Sequence, residues 1–246
     1  MRYFIELSYN GKSFHGWQNQ PNAITVQSIV EDALSKLLSN DISIVGAGRT
    51  DTGVHAQQMF AHFDSNQIDC EIITFKLNSF LPKTIAIHNI FEVSENAHAR
   101  FDALSRSYIY RISKVKDVFE FDNAYYFKNT LDVNLMNSAC RILFDYKDFK
   151  CFSRTHTDVK TYNCKIMEAK WNEVDNELHF HIKADRFLRN MVRAIVGTML
   201  DIGTKKIEVS KLHEIIESRD RSQAGASAPA HGLYLSKIEY SKEIIG

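Results

Sequence analysis

The sequence predicts an α+β fold, and three observations point to it. Strand-like and helix-like apolar stretches both occur, and they alternate irregularly rather than as a strict strand–helix–strand series. No linker or low-complexity tract interrupts them, and the whole chain holds only three prolines, Pro21, Pro82 and Pro229. Each half carries strands, a helix and more strands, which suits two similar α/β halves sharing one sheet with a cleft between them. The expected division is residues 1–104, with the glycine-rich loop described below, and 105–246, within one continuous unit.

Composition sets limits on partners. The 246 residues are 44% hydrophobic and 24% charged, an ordinary globular balance that argues against disorder. Lys+Arg and Asp+Glu both number 30, so a nucleic-acid surface has to come from uneven placement of charge rather than from excess. Cys70, Cys140, Cys151 and Cys164 show no zinc-like spacing and read as reduced, mostly buried thiols of a cytoplasmic protein. The N-terminus lacks the apolar core of a signal peptide, and no apolar run reaches membrane-spanning length. The expectation is a soluble protein.

Residues Arg2 to Tyr9 alternate as a half-buried strand, with Tyr3, Ile5 and Leu7 on one side and Phe4, Glu6 and Ser8 on the other. A turn at Asn10-Gly11 leads into the loop 12–20. There Trp17 beside Gly16 suits either stacking on a nucleic acid or plugging the core. Thr25 is placed to cap a helix from Val26 to about Leu38, whose stripe is Val26, Ile29, Val30, Ala33, Leu34 and Leu37. A helix around 71–79 ends before Leu81-Pro82, and 85–93 reads as a strand. The run through Tyr108-Ile-Tyr-Arg-Ile112 puts Tyr108 and Tyr110 on one face, and Ile109 and Arg111 on the other. Five cations (Arg100, Arg106, Arg111, Lys114 and Lys116) against Asp102 make this strand either an RNA surface or a solvated edge. A helix over 131–143, paired strands over 161–171 and 177–184, a helix over 187–200, another near 209–217 and a last strand over 232–240 complete the chain. On the helix 187–200, Arg189 and Arg193 lie one turn apart, on a face suited to a phosphate or carboxylate partner or to solvent.

The stretch that carries chemistry is Gly46-Ala-Gly-Arg-Thr-Asp-Thr-Gly-Val-His-Ala56. It holds three glycines between two β-prone runs, which makes it a tight, shaped loop joining two strands. Arg49 and Asp51 lie two residues apart, so the guanidinium can pair with the carboxylate. The pair is either a nucleophile or base with its counter-ion, or a structural bridge in a sharp turn. His55 and His62 are seven residues apart on one strand and face opposite sides, which argues against their sharing a metal. The loop has no Gly-Lys-Ser/Thr ending, fits no dinucleotide fingerprint, and the chain has no Gly-x-Ser-x-Gly elbow. Asp51 with His55 could form a base and its orienter, but no serine or cysteine nucleophile accompanies them by pattern. The residues alone reach a polar cleft with an Arg–Asp pair, aromatics and arginines, and name no reaction.

Several motifs in one order carry a resemblance. Gly48-Arg-Thr-Asp-Thr-Gly-Val-His55, Tyr9-Asn-Gly-Lys-Ser-Phe-His-Gly-Trp-Gln18, Leu77-Asn78, Leu81-Pro82, His98-Ala-Arg-Phe101, Tyr108-x-Tyr110, Asp148-Phe149, Met191-Val-Arg193 with Gly197, and Gly232-Leu-Tyr-Leu235 span nearly the whole chain. Together they resemble the tRNA pseudouridine synthase A (TruA) family. The resemblance implies that Asp51 is the catalytic carboxylate and that Arg49 is its ion-pair partner and helps displace the target base. It implies that Tyr108 stacks on the flipped uracil and that Arg193 neutralises or orients groups in the site. It also implies isomerisation of uridine to pseudouridine at positions 38 to 40 of the tRNA anticodon stem-loop, by a homodimer without cofactor or metal. The implied fold is α+β, a mixed, mainly antiparallel sheet shared by two similar subdomains, with helices on the outer face and a basic, RNA-binding cleft. Asn10 stands where the family usually has aspartate and Thr52 where alanine is frequent, and the arginine often found near Tyr162-Asn-Cys164 has no counterpart. A non-catalytic RNA-binding protein on the same scaffold and a small-molecule hydrolase using Asp51 and His55 are the competing classes.

Overall fold

The N-terminal alternation produces strand β1 (Arg2–Tyr9), the middle of the first of two compact units. The computed structural model describes residues 1–155 and 159–245. They group as Met1–Ser105 with Tyr234–Gly246, and as Arg106–Leu233. The final strand groups with the first unit, whereas the sequence reading placed all of 105–246 in the second.

In the first unit β1 pairs antiparallel with β3 (His55–Asp64) on one side and with β4 (Ile85–Val93) on the other. The two-residue strand β2 (Val45–Gly46) pairs antiparallel with the far end of β3. The last strand, β9 (Leu233–Glu239), joins the start of β3 in parallel. Helix α1 (Val26–Leu38) begins where Thr25 predicts. The Thr25 side chain accepts from the Ser28 N–H while the Ser28 hydroxyl accepts from the Thr25 N–H, a reciprocal cap. Val26, Val30, Ala33 and Leu34 of its stripe are buried, and Ile29 and Leu37 are half-buried. Helix α2 (Cys70–Phe80) is capped by Asp69 and packs on α1 and β4.

In the second unit β5 (Ser105–Ser113) pairs antiparallel with β8 (Glu177–Ala184), and β8 with β7 (Ile166–Val174). The short β6 (Tyr125–Tyr126) adds in parallel to β5. Helices α3 (Val133–Ile142), α4 (Met191–Gly203) and α5 (Lys211–Ser218) belong to this unit. Helix α3 packs on β7 and α4. A four-residue helix, α6 (Lys242–Ile245), closes the first unit. Each unit thus has a mixed, mainly antiparallel set of strands with helices, and the α+β class holds. Among the described residues no helix is long and apolar enough to cross a membrane.

Three elements are shorter than their apolar patterns suggest. Residues 187–190 are not helical, because Asn190 takes the left-handed conformation (φ 67°) directly before α4. Leu188 is buried and Phe187 packs edge-on against Tyr108 without being helical, so the apolar period outruns the helix. Arg189 therefore precedes α4 instead of sharing a helix face with Arg193. Residues 161–165 lie outside β7 because their backbone bonds the loop 147–149, through Phe149 N–H to Tyr162 O and Cys164 N–H to Lys147 O. Helix α3 starts after Asp132, whose carboxylate accepts from the Leu135 N–H. The basic character of β5 is also reduced. Arg111 makes two 2.8 Å bonds to Glu177, and Lys114 pairs with Glu173 at 3.1 Å.

The four cysteines are free thiols. Burial pushes Cys140, Cys151 and Cys164 up to about 12, which leaves them protonated and unreactive at neutral pH. His62 on β3 is 5% exposed, and its Nδ1 accepts the Ala99 N–H at 3.2 Å. Burial first, then the charges of His98 and Arg2, lower it from 6.5 to about 4, against the weaker pull of Asp64 and Asp102. The unfolded chain thus binds a proton from about pH 6.5 downward that the folded chain refuses until about pH 4. His62 therefore contributes stability in full above pH 6.5, and the contribution is lost as pH falls toward 4. Between pH 7 and 4.5 the urea-unfolding free energy of the wild type should drop on the order of 2 kcal/mol further than that of His62→Gln. Parallel pH slopes for the two proteins would contradict this.

Candidate active site

The loop from Gly46 to His55 is held by a second loop, residues 10–17, that lies directly on it. Asn10 caps a single 3-10 turn at Gly11–Ser13 by accepting the Lys12 N–H. From there three hydrogen bonds cross between the loops, two of them backbone to backbone. The Trp17 N–H donates to Thr50 O, the Gly53 N–H to Phe14 O, and the Gly11 N–H to His55 Nδ1. The two glycines that allow this approach have no room for a side chain. A Cβ on Gly11 would stand 2.0 Å from Val54 O, and one on Gly16 2.4 Å from Thr50 O. Gly16 also has φ +87°, which side-chain-bearing residues resist. On the far side, the Tyr9 hydroxyl and Thr50 Oγ1 are hydrogen-bonded at 2.8 Å in the core. A turn closed by the Val54 N–H on Asp51 O, with Gly53 at φ +79°, completes the loop.

Asp51 is thus bracketed by fixed backbone at Thr50 and at Gly53–Val54. Its own side chain is half-buried, neither sealed in the core nor loose on the surface, while Arg49 next to it is exposed. Trp17 is 2% exposed and packs on Tyr9 with ring centroids 6.1 Å apart. Its indole occupies the space a Cβ on Gly46 would need, at 2.4 Å from Nε1. Of the two roles open to Trp17, the core plug is the one found. Its ring fills the space beside Gly46 at the start of the loop. His55 is 2% exposed and stacks on Tyr234 at 4.6 Å. Its Nδ1 lone pair is used by Gly11, so His55 is a buried strut for the loop. Among the described residues no group of three or more His, Cys, Asp or Glu is arranged to hold a metal ion.

The second unit carries Tyr108 and Arg193. Tyr108 on β5 is half-buried, with Phe187 meeting it edge-on at 5.2 Å and 90°. Such an edge contact fixes the plane of the tyrosine ring. Its strand neighbour Tyr110 has a different task. It is fully buried, donates to Pro229 O at 2.8 Å, and is pushed far above the usual phenol range by burial. Arg193 lies in the first turn of α4, half-buried, and its Nε donates to Ala228 O at 2.7 Å. The Ala228 N–H returns a bond to Arg193 O at 3.0 Å. Sequence reasoning missed the parts that hold these groups in place: Gly11, Gly16 and Thr50 around Asp51, and the segment 224–229 around Arg193. The signal for the first was present as two glycines within six residues of each other before a glycine-rich loop. No period or propensity marks the second.

A model of the family described as tRNA pseudouridine synthase matches residues 7–102 and 139–241. The chain is 50% identical over 245 residues to a "tRNA pseudouridine synthase A" of Parabacteroides distasonis, covering 99% of this chain and 97% of that one. It is 49% identical over 246 residues to the protein of that name from Bacteroides fragilis, covering 99% and 98%. It is 38% identical over 245 residues to the one from Bacillus pumilus, covering 98% and 99%.

The loop-on-loop clamp is testable without any assay of activity. Gly16→Ala should destabilise the protein by about 1–3 kcal/mol, since it meets both a forbidden φ and the Thr50 carbonyl. It should also speed amide exchange at Thr50 to Val54 while leaving α1 protected. Wild-type stability and exchange in this variant would show that the clamp is not as described.

Proposed function

This chain belongs to the tRNA pseudouridine synthase family, and we propose that it converts uridine to pseudouridine at positions 38 to 40 of the tRNA anticodon stem-loop with Asp51 as the catalytic carboxylate. As a member of that family it is an isomerase acting on uridine in tRNA. The reaction breaks the bond from uracil N1 to ribose C1′ and forms one from C5 to C1′. The C5 proton leaves and N1 gains one, so atoms and electrons balance without a co-reactant. Three routes are open to the carboxylate: addition to the base, attack on or stabilisation of C1′, or removal of a ribose proton.

The observation that carries the assignment is the placement of Asp51. It is a half-buried carboxylate whose backbone is fixed on both sides and whose loop neighbours are buried struts. A rigid loop delivers its group in one orientation, which is how positioning lowers a barrier. Arg49, exposed on the same loop, is assigned to charge pairing with Asp51 and to displacing the target base. Tyr108 is assigned to stacking on the extruded uracil. Extrusion costs roughly a few kcal/mol, and a base–aromatic platform returns ~1–3 kcal/mol of it. Arg193 is assigned to neutralising or orienting groups at the reacting nucleotide. The implied partner is tRNA, and the implied assembly is a homodimer working in the cytoplasm.

Asp51→Asn, nearly isosteric, should abolish pseudouridine in an unmodified tRNA transcript while tRNA affinity stays within about threefold, because only chemistry is removed. Retained turnover would count decisively against Asp51, and a non-catalytic RNA-binding protein would bind tRNA and modify nothing with either residue. Tyr108→Phe keeps the stacking ring and should keep tRNA affinity. A collapse of binding in that variant would show the ring to be misassigned.

A further inference from the structure

Between α5 and β9 the chain passes over α4 as a strap. Gly197 of α4 meets it with no Cβ to spare, since one would stand 1.7 Å from Ala226 O. Gly225 of the strap is tightly packed as well: a Cβ there would stand 2.7 Å from Thr198 N, and its N–H donates to Thr198 Oγ1 at 2.9 Å. One side chain ties the strap together. Arg221 Nη1 donates to Ala224 O at 3.3 Å and Gly225 O at 3.1 Å, and Nη2 donates to Ser227 Oγ at 2.9 Å. Asn190, at the foot of α4, donates to the same Ser227 oxygen at 2.6 Å. The next residue is Ala228, which exchanges two bonds with Arg193.

We propose that Arg221 is a positioning residue for Arg193, acting through the strap from Ala224 to Ala228. The inference rests on the assignment of Arg193 to the reacting nucleotide made above. A guanidinium is planar, so fixing its Nε on Ala228 O also fixes the direction of both terminal nitrogens. The place of Ala228 is therefore the setting of Arg193, and the strap sets Ala228. Glycine packing holds the strap close to α4 but does not fix its course along the helix. The fork of Arg221 does, by holding two carbonyls and a hydroxyl within four residues. Arg221 is half-buried, outside the apolar core, so its removal loosens the strap without emptying a packed site. A lysine reaches one acceptor at a time and cannot reproduce the fork.

The test is a double-mutant cycle on the full-length protein with an unmodified tRNA transcript. Arg221→Gln should slow single-turnover pseudouridine formation about tenfold, as small misplacements of a working group do, with tRNA affinity and melting temperature near wild type. Arg221→Lys should recover only part of the rate. Arg193→Lys keeps the charge but loses the Nε donor to Ala228. In that background Arg221→Gln should cost less than about twofold, because the link it acts through is already gone. Equal losses in both backgrounds would overturn the proposal, as would a wild-type rate for Arg221→Gln or a loss confined to tRNA affinity. The last result would make Arg221 a contact to the RNA. If Arg221→Gln does not fold, Ser227→Ala carries the same test with a smaller loss of rate and the same dependence on Arg193. A wild-type rate for Arg193→Lys would show that the Nε link to Ala228 does not matter and would overturn this proposal, whereas a wild-type rate for Arg193→Gln, which also loses the charge, would remove the role of Arg193 itself. That failure is recognised from the single variant alone.

Discussion

The account depends on two stretches of backbone that lie too close for a side chain to come between them. At Gly11 and Gly16 the loop 10–17 rests on Thr50 and Val54 with no space for a Cβ. Beside those points two backbone bonds cross between the loops, from the Trp17 N–H to Thr50 O and from the Gly53 N–H to Phe14 O. Backbone held by backbone has few alternative arrangements, so the loop that carries Asp51 is set once the glycines are in place. Tyr9, Trp17 and His55 support it as buried rings, Tyr9 and His55 also as hydrogen-bond partners. The backbone at the carboxylate gains its definite position from these buried neighbours.

Much of the scaffold could be read from the sequence because local and tertiary preferences agree there. β1, α1, β4 and β8 fall where alternation, capping and apolar period place them, and Thr25 caps α1 as its residue type suggests. The errors have specific causes. Phe187 and Leu188 keep a helical spacing because they pack inward, yet the left-handed Asn190 forces the helix to begin after it. Residues 161–165 look strand-like, but their backbone is engaged by the loop 147–149. The last strand pairs with a strand some 180 residues earlier, which no local pattern could reveal.

The site was legible in part. The motif around Asp51 drew attention to a loop that the structure holds by buried neighbours, with the carboxylate half-buried. Composition could not distinguish a tryptophan that stacks on a ligand from one that fills the core. Its burial against Tyr9 and the absent Cβ of Gly46 decide it. Counting cations along β5 overstated its charge, because Glu177 and Glu173 come from another part of the chain to pair with Arg111 and Lys114. The strap over α4 is a third case. No period marks its small residues, yet close backbone approach and the bonds of Arg221 give it a definite course.

The most direct measurement is a crystal structure of the Asp51→Asn protein bound to an unmodified anticodon stem-loop. The account predicts one uridine from positions 38 to 40 turned out of its stack, with its glycosidic bond against the residue-51 side chain and the Thr50–Val54 backbone unchanged. A uridine seated away from residue 51, or a loop refolded around the RNA, would contradict it.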